Sequence, residues 1–231
     1  MNPALALLRA TLRDSLALWR GAPWLVLPAV ATELLQHRAE VQLGMFASSD
    51  AFRMMAMAPA RWWWGGWKLA AIGFAVIAGL WLWGRRDGGR VLWTPLALAL
   101  VLNGLAMMPG QLIEGRFDPA TAALAGFSVS LIALPLIPYL AGALIGDRAM
   151  TLRAAFTRGW WPALRMLLVI VAGFVPLQAL HLANHRLAMG QPAPLLWSLL
   201  VWDALVVGAM AGWMATAFHH GYRGSAPFAK R

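Results

Sequence analysis

"RWWWGGWKLAAIGFAVIAGLWLWGRR", residues 61–86, decides the fold class of this chain. Between Arg61 and Arg85 its one charged residue is Lys68. A helix needs about 20 mostly apolar residues to cross the hydrocarbon of a bilayer, and 62–84 supplies them. Trp62, Trp63, Trp64 and Trp67 crowd one end, and Trp81 and Trp83 mark the other. An indole ring has an apolar body and a single N–H donor, which suits the headgroup layer. The stretch therefore reads as a membrane span anchored at both ends, with Lys68 snorkelling outward past the tryptophans. Anchorage is preferred to the alternative, a platform for carbohydrate or aromatic ligands.

The rest of the chain agrees with this reading. Of 231 residues, 61% are hydrophobic and 12% charged, against roughly 25% charged in soluble domains. So little charge does not coat a soluble globule, and lipid is the natural second solvent. The net charge of +10 would alone suit nucleic acid or an anionic membrane. Its distribution decides, because the arginines sit in small groups between apolar runs; no nucleic-acid partner is expected. Cysteine is absent, which excludes disulfides and thiolate metal sites. Arg9, Arg13 and Asp14 interrupt the N-terminal apolar residues, so a cleaved signal peptide is not expected.

The predicted fold is all-α, one polytopic helix bundle over 1–231 with about six spans, near 21–40, 62–84, 91–113, 121–146, 161–182 and 195–218. Orientation follows from the Lys/Arg bias of short loops. With the N-terminus inside, thirteen Lys+Arg fall on the inner side and six on the outer side. Both termini are thus expected in the cytoplasm, and the location a bacterial inner membrane. Trp19, Trp24, Trp93, Trp160 and Trp161 would mark the cytoplasmic level.

Two segments read as helices lying on the membrane. In 4–20, Leu5, Leu8, Leu12, Leu16 and Trp19 recur at helical spacing beside Arg9, Arg13 and Arg20. In 148–160, Leu152, Phe156 and Trp160 stand against Arg153 and Arg158. Such faces settle among anionic headgroups, so those five arginines are the candidate lipid contacts. "LALWRGAPW" and "AAFTRGWWP" also hint at an internal repeat, a basic surface helix followed by a membrane hairpin.

Buried ionisable groups are the best functional leads inside a membrane, since a central Asp costs about 2.5–3.5 kcal/mol on insertion scales. Asp203 lies eight residues into the sixth span, on the order of 12 Å deep. Asn103 is central in the third. Glu33, Gln36, His37 and Glu40 share one helical face, and Gln178, His181 and His185 share another. If these stripes face each other they form a polar pocket opening outward, closed below by Asp203. Glu33, His37, Asn103, Gln178, His181, His185 and Asp203 are the candidates for that pocket, with Asp203 paired to Lys68 or protonated. Glu33, His37, His181 and His185 could converge on a metal ion. The spacing is common, however, and "HLANH" lacks the glutamate of a zinc-peptidase helix, so neither metal nor cofactor is expected. Gly142 with Gly146, and Gly208 with Gly212, form GxxxG pairs suited to close helix packing. Pro135 and Pro138 predict a kink in the fourth span.

No soluble-type catalytic motif appears: "GFSVS" is no nucleophile elbow, and a phosphate loop or dinucleotide fingerprint is lacking. Basic segments such as "LLRATLRDSLALWR" before the first span and "MTLRAAFTRGWW" before the fifth give a different lead. In this order the chain resembles bacterial six-helix membrane proteins related to the membrane domain of glycerophosphodiester phosphodiesterases. The resemblance implies an integral membrane protein and contributes no catalytic residues, because the hydrolase chemistry there belongs to a separate domain. The leading expectation is a non-enzymatic inner-membrane protein engaging anionic lipid or a membrane protein partner. The alternative is a small transporter or channel built around Asp203, Glu33 and His181, and a membrane enzyme is a third reading.

Overall fold

The computed structural model describes residues 2–113 and 118–224, with side chains described outside 107–113 and 119. Every regular element among the described residues is helical. In chain order they are α1 (Pro3–Gly21), α2 (Leu27–Gln42), α3 (Ser49–Met55), α4 (Pro59–Arg86), α5 (Trp93–Ile113), α6 (Pro119–Ala133), α7 (Leu136–Ile145), α8 (Leu152–Arg158), α9 (Trp160–Ala188) and α10 (Ala193–Arg223).

Four stretches are long and apolar enough to cross a membrane: α4, the α6–α7 stretch Ala120–Ile145, α9 and α10. Two of the six expected spans fall outside this set. The first candidate, 21–40, does not form one helix. Gly21 ends α1, Pro23–Leu25 makes a 3-10 turn, and α2 begins only at Leu27. Its 16 residues reach roughly 24 Å at 1.5 Å each, short of a hydrocarbon core of about 30 Å. Four of its side chains, Glu33, Gln36, His37 and Glu40, are polar and buried. The third candidate, 91–113, forms α5, a helix of 21 residues, whose apolar stretch among described side chains is Trp93–Ala106.

The surface segments are also redrawn. Asn2 caps α1, its Oδ1 accepting from the Ala4 amide at 2.9 Å, and Pro3 stands where its missing N–H costs nothing. The buried face of α1 is Leu7, Thr11, Asp14, Ser15 and Leu18. The predicted leucine stripe points elsewhere: Leu5, Leu12 and Leu16 are exposed, as are Arg9, Arg13 and Arg20. In the second segment, 148–160, the surface helix is Leu152–Arg158, started by Thr151, whose Oγ1 accepts from the Ala154 amide, and Trp160 already opens α9. Arg153 is exposed, and Arg158 donates to the Ala149 carbonyl.

The chain divides into two compact units, Met1–Gly79 with Val169–Ala217, and Leu80–Leu168 with Phe218–Arg231. In the first unit, small residues let α2, α4 and α10 approach closely. Ala29, Ala71, Ala75, Val206, Val207, Met210 and Ala211 form a core, with Ile72, Phe174 and Leu177 packed against it. Gly208 and Gly212 serve this unit: a Cβ at Gly208 would lie 2.5 Å from Val30 and 2.7 Å from Trp19, and one at Gly212 3.3 Å from Ser15.

In the second unit Ala99, Tyr139 and Ala155 gather Leu140, Met150 and Leu152. Gly142 faces Met150 and the Tyr222 hydroxyl. Gly146 is not a packing glycine inside a helix. It ends α7 at φ +83°, with the Arg90 backbone where a side chain would be. The kink at Pro135 is a tightened turn between α6 and α7, with Leu134 and Pro135 still in the right-handed helical region. Around it, Leu134 donates to Leu131 and Ile137 to Leu134, three-residue bonds in place of the helical four, as expected where proline removes a donor. At the end of α10, Asp87 meets His219 at 3.0 Å and Arg223 at 3.1 Å, and Tyr222 donates to Asp147 at 2.7 Å.

A candidate buried ionisable site

The site lies wholly in the first unit and is assembled from four helices. α2 supplies Glu33, Gln36, His37 and Glu40 at i, i+3, i+4 and i+7, so that all four leave one face. α9 supplies His181, Asn184 and His185 by the same spacing, α4 supplies Arg61 and Lys68, and α10 supplies Asp203. Asp203 is ten residues into α10, or about 15 Å along its axis. Glu33, His37, Glu40 and Asp203 are completely buried, and His181, Asn184 and His185 nearly so.

Asp203 is the hub. Its Oδ2 lies 2.7 Å from His181 Nδ1, 3.1 Å from His37 Nε2 and 3.3 Å from His185 Nε2. Its Oδ1 accepts from Asn184 Nδ2 at 2.9 Å. His37 reaches in two directions, its other nitrogen lying 3.0 Å from Glu40 Oε2. Glu40 Oε1 accepts from Gln36 Nε2 at 2.8 Å and from Arg61 Nε at 2.9 Å. Glu33 Oε2 is 2.7 Å from Lys68 Nζ, and its Oε1 3.4 Å from His37 Nε2. These are close ion-pair contacts without hydrogen-bond geometry, for neither oxygen of Glu33 has a hydrogen-bond partner; nor do Gln36 Oε1 and His185 Nε2. Phe46 and Phe52 close over His185, each with its ring centroid 5.8 Å from the imidazole.

Such an arrangement is expensive to assemble without purpose. Burying a carboxylate costs several kcal/mol, recovered only through well-made partners. Three carboxylates, three imidazoles and two fixed cations within one buried cluster can hold, exchange or relay a cation.

Most of the predicted residues meet here: Glu33, His37, His181, His185 and Asp203. Two do not. Asn103 donates to its own helix, to Ala99 O at 2.8 Å, as a polar side chain does when its helix offers no other partner. Gln178 is half-buried one turn before His181 and, among the described residues, makes no hydrogen bond to the cluster. The expected open pocket is instead a packed cluster. The expected partner of Asp203 is also different: Lys68 pairs with Glu33 and does not snorkel outward, while imidazoles surround Asp203. Sequence reasoning passed over Asn184 and Arg61, although each had a local sign. Asn184 follows His181 by three residues, and Arg61 precedes Lys68 by seven. The Asp87–His219 contact of the second unit was missed as well, and nothing local in "RRDGGR" or "HHGYR" joins them.

Compared with family models, curated proteins and solved structures, the chain matches none. The comparisons bear neither for nor against the resemblance to the phosphodiesterase-linked membrane domain.

Proposed function

We propose that this protein is a small multi-pass transporter or channel for cations, with the Asp203 cluster as the place where the cation is handled. One observation carries the reading: three imidazole nitrogens stand within 3.3 Å of a single oxygen of a completely buried aspartate. A carboxylate oxygen has two lone pairs, so three ring nitrogens cannot all bond that one oxygen at once. Three titratable rings around it supply alternative proton positions, and ionisable groups in membrane helices mark ion pathways by default. The proposed setting is a bacterial inner membrane crossed six times, α2 together with the 3-10 turn that leads into it and the 21-residue α5 completing the set, with both termini cytoplasmic. The loop arginines and the resemblance noted above support that setting.

The test is reconstitution of the purified full chain in lipid vesicles carrying entrapped pH-sensitive and divalent-metal dyes. The expected result is a cation flux that Asp203→Asn abolishes while the variant still inserts and keeps its helix content. Absence of both fluxes in the wild type, or an intact flux in the variant, overturns the reading.

A second reading, engagement of anionic lipid, is favoured by α1, where exposed Leu5, Leu12 and Leu16 accompany exposed arginines. It predicts that Arg9→Gln with Arg20→Gln reduces the anionic lipid retained by the purified protein in native mass spectrometry. Unchanged retention would remove it.

A further inference from the structure

We infer that the cluster is a binding site for one divalent first-row transition metal ion, with Glu33, His181, His185 and Asp203 as its ligands. The inference rests on the reading of the cluster as a cation site and gives that site a ligand class.

Four buried side chains from three helices bring one donor atom each to within 4.8 Å of all the others. A tetrahedral ion with ligand bonds of about 2.0–2.1 Å separates its donors by roughly 3.3 Å. The donors are also imperfectly satisfied, held by ion-pair contacts without hydrogen-bond geometry. Both oxygens of Glu33 and Nε2 of His185 are buried without a hydrogen-bond partner, although buried polar atoms are normally satisfied. Asp203 Oδ2 shows the opposite fault, with three ring nitrogens against one atom. An ion at the centre relieves both faults, giving the idle lone pairs a partner and drawing the imidazoles from one oxygen to one cation.

Charge and softness select the ion. Glu33 and Asp203 together carry the two negative charges that a divalent cation balances, and two neutral imidazoles complete the set. Imidazole suits zinc, iron and nickel, and carboxylate suits manganese as well as the alkaline earths. Their combination, in a chain without cysteine, fits a first-row divalent ion better than a soft monovalent one.

The surroundings resemble a second coordination sphere. Asn184 fixes the far oxygen of Asp203, and His37 ties Asp203 to Glu40, itself held by Gln36 and Arg61. Outer contacts of this kind orient ligands and tune affinity. Lys68 occupies the ion's place at Glu33. Its ammonium is 2.7 Å from Oε2 and its side chain 16% exposed, so it can withdraw along its flexible stem and free the carboxylate.

The test uses the full chain in detergent, equilibrated with zinc, freed of excess ion and counted by elemental mass spectrometry. The expected result is one zinc per chain, with affinity at least tenfold weaker in His181→Ala and in Glu33→Gln. His219→Ala, a buried histidine of the other unit, should leave stoichiometry unchanged, and Lys68→Ala should bind at least as tightly as wild type. Cobalt bound to the wild type should give the intense visible absorption of tetrahedral coordination, a readout that needs no variant to fold. Lack of stoichiometric zinc and cobalt on the wild type overturns the inference. So does metal that survives in both His181→Ala and Glu33→Gln. Proton flux persisting in vesicles of a chain that binds no metal sinks this inference alone. Stoichiometric metal at these ligands without any flux supports it and sinks the transport reading instead.

Discussion

Arg61, Gly65 and Lys68 fall at i, i+4 and i+7 of α4, on one face of the helix that the tryptophans dominate. Gly65 faces α2 as well: a Cβ there would lie 3.7 Å from Gln36 Oε1, an ordinary contact distance. The two cations then reach Glu40 and Glu33, while Trp62, Trp63 and Trp67 stay more than half exposed. The tryptophan cluster thus has two duties, outward anchorage on one stripe and charge compensation on another. Removing one partner of a buried pair leaves the other charge unpaired, at a cost of about 3–5 kcal/mol. Lys68→Ala should therefore lower the thermal midpoint of metal-free protein in detergent, and added zinc should restore much of the loss by supplying Glu33 with another cation. A midpoint unmoved by the substitution would show that Glu33 does not depend on Lys68.

Helix packing in the first unit turns on where glycine is spent. A Cβ at Gly173 of α9 would stand 2.1 Å from the Trp213 ring, which is fixed by Nε1 hydrogen bonds to the carbonyls of Val169 and Ile170 at 3.0 and 3.2 Å. Gly173→Ala should destabilise the protein by about 1–3 kcal/mol through overpacking. At Gly66 of α4 a Cβ would meet nothing within 4 Å. Gly66→Ala should stabilise by about 0.5–1 kcal/mol, because alanine loses less backbone entropy in a helix. Thermal unfolding of the two variants checks both signs at once. At this scale the sequence was legible where the apolar run is long, so α4, α9 and α10 contain the expected stretches, starting within three residues of them and running on by two to six at their ends. It misled at 21–40, where an apolar run hides the Gly21–Pro23 break, and at 148–160, where capping by Thr151 starts the helix late. Apolar content measures burial, not helix continuity.

For the whole molecule the open matter is which way the chain crosses the bilayer, and the absence of cysteine makes it easy to measure. Ser49 and Ala149 are both exposed, so a cysteine at either should react with a membrane-impermeant maleimide whenever that side is accessible. With cytoplasmic termini, Ser49→Cys should label in intact spheroplasts and Ala149→Cys only after lysis. The reverse pattern would invert the orientation, and labelling of both from outside would rule out the six-span count.

Composition and periodicity by themselves determined that the chain is helical and apolar enough for a membrane, and that polar stripes run along two of its helices. Both are local properties: a residue's hydrophobicity and its angle around the helix axis are set within a few turns. Which stripes meet was decided by tertiary structure alone. Asp203 lies 166 residues from His37 and 22 from His181, and no local period relates them. Lys68 had two carboxylates it could neutralise, and the packing of α4 on α2 brought it to Glu33. That choice left Asp203 to the histidines, and with it the unsatisfied donors on which the metal inference depends.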